Sequence, residues 1–163
     1  MVRDTMTVYF SRKEKFSSAH RLNSKNLTEE ENLAVYGKCN HKNGHGHNYE
    51  IKVTIKGTID PITGMCINLT DLKEAIQTQV LDLVDHKNLD LDVKFFKETP
   101  RYNFCLKKDA CNVKLTSLLL YHISTAENIC IFAWNQLLPV FGDSLYRIKV
   151  SETDKNSAEY RGE

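Results

Sequence analysis

Residues 44–56 read Gly-His-Gly-His-Asn-Tyr-Glu-Ile-Lys-Val-Thr-Ile-Lys. From Tyr49 onward, Tyr49, Ile51, Val53 and Ile55 alternate with Glu50, Lys52, Thr54 and Lys56, the period-two pattern of a β-strand with one wet face. Carrying that phase back puts His45 and His47 on the inward face. Two inward imidazoles two residues apart can share one metal ion, and the flanking Gly44 and Gly46 let another backbone come close. So short a pattern also fits a pair of hydrogen-bonded core histidines, so the metal reading needs a third ligand. His20 is the candidate: Phe16, Ser18 and His20 share a strand face, and an antiparallel neighbour could set His20 beside the pair. Three neutral imidazoles with an open fourth position are a catalytic zinc set. Taken alone, a histidine such as His20 is more often structural or at the surface.

Upstream, Val8, Tyr9, Phe10 and Phe16 suggest a strand or hairpin arm leading into His20, although residues 12–15 interrupt its apolar pattern. Downstream, Asp60, Pro61 and Gly64 mark a turn into a short apolar run at 65–67, expected to pair antiparallel. Asn68 with Asp71 then caps a helix whose Leu69, Leu72, Ile76, Val80 and Leu83 recur every three or four residues. Ser124 with Glu127 predicts the cap of a second helix carrying Ile129, Ala133, Trp134, Leu137 and Leu138, with Pro139 expected to stop it. Tyr146, Ile148 and Val150 form a strand, followed after a turn by a shorter one at 157–160. The expectation is an α+β fold of strands, two helices and strands. It forms a single domain over 1–163. About thirty residues separate Val93 from Ser124, where two to eight usually join helices, so an inserted loop is expected at about 97–123. Its 113–123 part reads as a strand or as an extension of the second helix.

Three further features could carry chemistry. Cys39, in Gly37-Lys38-Cys39-Asn40, lies in a small and basic context that favours an accessible thiolate; a buried filler is the ordinary alternative. Asp85-His86 follows the first helix, where the carboxylate could fix the imidazole tautomer for acid-base work, or the histidine could simply face the helix dipole. Glu152 continues the inward phase of Val150. An inward carboxylate wants donors, which the N–C–N edge of a ligand would supply; a strand ending before Glu152 would leave it solvated.

The 22 Lys and Arg balance 21 Asp and Glu, so no net field draws the molecule to nucleic acid, and no apolar run could cross a membrane. Five cysteines without a CxxC pair indicate free thiols. The first residues do not have the pattern of a secretory signal, and a cytoplasmic location is expected. The partner is expected to be a small molecule or another protein.

FSSAHRL at 16–22, EENLAVYGKCNHKNGHGHNYE at 30–50, INLTDLK at 67–73, LVDHKNLDLDV at 83–93, STAEN at 124–128 and VSETD at 150–154 occur in an order that resembles the 6-pyruvoyl-tetrahydropterin synthase family. The resemblance implies the tunnelling fold (ββααββ), an antiparallel sheet with two helices on one face. Three subunits then close a twelve-stranded barrel, and two barrels stack into a homo-hexamer, a dimer of trimers. It implies a lyase of tetrahydrobiopterin biosynthesis that converts 7,8-dihydroneopterin triphosphate to 6-pyruvoyl-tetrahydropterin and triphosphate, with one zinc ion (Zn2+) per subunit and magnesium (Mg2+) on the triphosphate. It assigns His20, His45 and His47 to the metal, Cys39 to proton abstraction, Asp85 and His86 to a relay with it, Glu152 to the pterin, and Thr125 and Glu127 to substrate binding. The alternative enzyme of the same fold is 6-carboxytetrahydropterin synthase; the alternative of a different functional class is a non-catalytic barrel module that has lost activity through the insertion and binds pterins or a partner. The inserted segment is the departure from the family pattern.

Overall fold

The computed structural model describes residues 6–97 and 122–163. Most of the inserted loop expected at about 97–123 therefore lies outside the described residues; His122 and Ile123 lie outside any helix or strand.

Two long strands, β1 (Thr7–His20) and β2 (His45–Thr58), pair antiparallel along their whole length. The charged residues 12–15 do not break β1: Arg12 meets Glu14 at 2.6 Å, Lys13 meets Glu50 across the strands at 2.7 Å, and Lys15 is exposed. The register sets Phe16 opposite Tyr49, Ser18 opposite His47 and His20 opposite His45. β4 (Leu145–Ser151) pairs antiparallel with β2, and β5 (Ser157–Tyr160) with β4; a two-residue β3 (Lys87–Asn88) adds a short parallel edge to β1. The strand order is β3-β1-β2-β4-β5, so the sheet is antiparallel except at that edge.

The inward residues of β2, namely Tyr49, Ile51, Val53 and Ile55, are at most 1% exposed. They share one core with Leu72 and Ile76 of α2 (Leu69–Ile76), Val84 of α3 (Asp82–Val84), and Ile129, Ala133 and Leu137 of α6 (Ala126–Phe141). The first predicted helix is this α2–α3 run, joined by a π-helical turn at Gln77–Leu81. α4 (Leu89–Asp92) and α5 (Lys94–Lys97) follow β3. Among the described residues no helix is long and apolar enough to cross a membrane.

Three local expectations are corrected, and one helix is new. Residues 65–67 form no strand: Asp60 closes the turn on itself, its carboxylate accepting from the N–H groups of Ile62 and Thr63, and the apolar run stays outside the sheet. The cap of α6 is Thr125, not Ser124. Pro139 lies inside α6 rather than ending it: its fixed φ suits a helix, and the lost N–H and the crowding of the carbonyl four residues earlier fall in the last turn. An unexpected helix, α1 (Glu29–Tyr36), lies between β1 and β2 and starts with a capping box of Thr28 and Glu31.

Candidate metal centre

The β1–β2 register brings His20, His45 and His47 together, with one ring nitrogen of each within 4.8 Å of the others. The strand phase read from the sequence thus holds at its end, where side chains change from apolar to imidazole. The approach depends on glycine. A Cβ on Gly44, whose φ is +67°, would lie 2.7 Å from the carbonyl oxygen of His20, and one on Gly46 would press on that of Ser18 at 3.3 Å. Below the histidines, Phe16 and Tyr49 stack at 4.9 Å and close the apolar floor.

The hydrogen bonds fix the tautomer of His20. Its ring is fully buried, and Nδ1 lies 2.7 Å from the carbonyl oxygen of Ser124, which can only accept. Nδ1 therefore carries the proton, and Nε2 presents a lone pair to the cluster. That lone pair is 3.1 Å from Nε2 of His45, and the Glu152 carboxylate lies 3.6 Å from it and 3.5 Å from Nε2 of His47. Burial, first of all, pulls His45 and His47 below the usual imidazole range, which favours the neutral form that binds metals. So many acceptors converging on one point want a cation between them, and imidazole donors suit zinc. The three histidines fit a bound metal ion.

Glu152 lies one residue beyond the end of β4, yet keeps the strand phase and turns to the histidines. Asp85 ends α3 and ties it to β1: one carboxylate oxygen accepts from the Ser17 N–H at 2.8 Å, and the other lies 3.0 Å from Nδ1 of His86. The Ser17 contact, first among the causes, holds the Asp85 carboxyl below its ordinary value, which keeps an ionised carboxylate beside His86. His86 has φ +58°, is largely exposed, and lines an open cleft with His47, Gly46 and Asn48. Cys39 is half-buried in the 3-10 turn Gly37–Asn40, whose position is set by the Leu22 N–H donating to the Cys39 carbonyl at 2.9 Å. Among the described residues no hydrogen bond joins Cys39 to Asp85 or His86. The Thr125 hydroxyl caps α6, and Glu127 is exposed in its first turn.

Two residues beside the site carried no sequence signal for a role there. Ser124 holds His20 from 104 positions away, and Asp90 accepts from the Ser124 hydroxyl at 2.6 Å. Long-range partners of this kind leave no local periodicity to read.

Fold and site together define an α+β protein that gathers three histidines from two paired strands into one group able to hold a metal ion. The sequence model of 6-pyruvoyl tetrahydropterin synthase matches residues 9–163. The chain is 44% identical to the human 6-pyruvoyl tetrahydrobiopterin synthase over 156 residues, covering 94% of this chain and 90% of the relative. It is 43% identical to the enzyme of the same name from Poecilia reticulata, covering 95% and 90%. The solved structure of the Caenorhabditis elegans 6-pyruvoyl tetrahydropterin synthase superposes with a TM-score of 0.80 at 39% identity, covering 98% of both chains. The chain belongs to the 6-pyruvoyl tetrahydropterin synthase family.

Proposed function

We propose that this protein converts 7,8-dihydroneopterin triphosphate to 6-pyruvoyl-tetrahydropterin with release of triphosphate. The observation that carries the reading is the convergence of His20, His45 and His47 within 4.8 Å in a chain of this family. These three residues hold one zinc ion, which when bound supplies a Lewis acid for the oxygens of the substrate side chain. Cys39 takes a proton from the side-chain carbon. Asp85, 3.0 Å from Nδ1 of His86, orients the imidazole and leaves Nε2 free to exchange a proton with solvent or substrate. Glu152 accepts two N–H groups from the N–C–N edge of the pterin in a fork, and Thr125 and Glu127 bind the substrate beside it.

No hydrogen bond joins Cys39 to the Asp85–His86 pair within one described chain, so we place closure of the relay at a subunit contact of a homo-hexamer built on the barrel. Magnesium accompanies the triphosphate, and the enzyme works in the cytoplasm. The test is product analysis after incubating the zinc-loaded protein with 7,8-dihydroneopterin triphosphate. A 6-pyruvoyl product with one triphosphate released supports the reading; acetaldehyde with a carboxypterin would assign the chain to 6-carboxytetrahydropterin chemistry, and no triphosphate release would make it a binding module.

A further inference from the structure

We propose that Asp90 is a positioning residue for the metal centre, holding the ring of His20 through Ser124. The inference rests on the three-histidine reading of the site. One oxygen of Asp90 lies 2.6 Å from the Ser124 hydroxyl, and the other accepts from the backbone N–H of Arg21 at 2.6 Å. Ser124 is fully buried, and its carbonyl oxygen takes the Nδ1 proton of His20. The carboxylate therefore grips the backbone immediately after His20 with one oxygen and, with the other, the residue that orients the His20 ring. His20 is held between these two points. Both contacts are short and charge-assisted, so each is stiffer than a neutral hydrogen bond.

The fold fixes Asp90 in turn. Asn88 caps α4 by accepting from the N–H groups of Asp90 and Leu91, and Leu89 is completely buried between them. Ser124 is free for this task because Thr125 caps α6, so neither the hydroxyl nor the carbonyl of Ser124 is needed by the helix. A ligand whose outer nitrogen is held in this way binds metal with the right tautomer and ring direction at no further ordering cost, and removing such a support typically lowers metal affinity by about 10- to 100-fold.

The experiment measures the zinc dissociation constant of the full chain by chelator competition, and the visible spectrum of the cobalt-substituted protein, for wild type, Asp90→Ala, Asp90→Asn and Ser124→Ala. Asp90→Ala is expected to weaken zinc binding about 10- to 100-fold and to shift the cobalt bands, with the circular dichroism of the apoprotein unchanged. Asp90→Asn should restore most of the affinity, since its amide can accept from Arg21 while the Ser124 hydroxyl rotates to accept from the amide N–H. Ser124→Ala, which keeps the carbonyl and removes only the hydroxyl, carries the test if Asp90→Ala fails to fold. Combined with Asp90→Ala, it should add little further loss, as both break one chain of contacts. Wild-type affinity and cobalt spectrum in a folded Asp90→Ala or Ser124→Ala, or fully additive losses, would overturn the proposal. Metal affinity is read independently of turnover, so a wild-type protein that binds zinc but leaves the pterin unchanged would sink the assigned reaction and not this role. A wild-type apoprotein that takes up no zinc would overturn both.

Discussion

His20 stands directly opposite His45 in the β1–β2 register, with their Nε2 atoms 3.1 Å apart. The pairing exists because Gly44 and Gly46 leave the two backbones free to close at the end of the hairpin. A one-residue slip of β1 against β2 would turn His20 to the face opposite His45 and His47, so the register is as much a part of the site as the histidines themselves.

Gly44 and Gly64 separate the two costs of replacing such a glycine. Both have positive φ, but an added Cβ at Gly64 meets nothing within 4 Å, whereas at Gly44 it meets backbone. Gly64→Ala is expected to cost about 1–2 kcal/mol of stability. Gly44→Ala should cost more, about 3 kcal/mol, and should also weaken metal binding by pushing on His20. Denaturant unfolding of the two variants checks this, and equal costs would show that the close approach at Gly44 is relieved elsewhere.

Cys39→Ala is expected to fold and keep its metal, because Cys39 is tied to the fold through its backbone carbonyl rather than its sulfur. Turnover should fall by at least about 100-fold, the usual worth of a positioned base. Near-normal triphosphate release with normal zinc content would remove Cys39 from the mechanism.

In the proposed site, Glu152→Gln would replace an acceptor oxygen with a donor N–H turned toward the N–H groups of the pterin. The expected loss of pterin affinity is about 1.5–3 kcal/mol, the range for hydrogen bonds to a charged group, with zinc content unchanged. Equilibrium binding of a pterin to the zinc-loaded variant measures it; wild-type affinity would place the pterin anchor on another residue.

Much of this site can be read in the chain because β2 alternates so regularly that its inward face, and with it the direction of His45 and His47, follows from the pattern. Glu152 obeyed the same phase even though its strand ends at Ser151. The pairing of His20 with His45 could not be derived in this way, since α1 and a 3-10 turn separate the two strands and no tight hairpin turn fixes the register. α1 itself escaped an apolar reading because its one buried residue is the polar Asn32, which donates to backbone carbonyls around it. Its local signals were at its ends: the Thr28–Glu31 capping box, the acidic first turn and Gly37 after the last turn. Ser124 has the spacing of a helix cap with Glu127, but His20 and Asp90 claim its polar groups and the cap falls to Thr125. Local rules gave the elements here, and contacts across the chain decided which of two adjacent hydroxyls served the helix and which the site.

The central claim is that a metal held by His20, His45 and His47 enables pterin chemistry in this chain, and the most direct measurement titrates zinc into metal-free protein while following triphosphate release from 7,8-dihydroneopterin triphosphate. The predicted result is activity that rises in proportion to zinc and stops rising at about one ion per chain, with His45→Ala remaining inactive throughout. Full activity before zinc is added, or a His45→Ala variant that responds to zinc as the wild type does, would contradict the account.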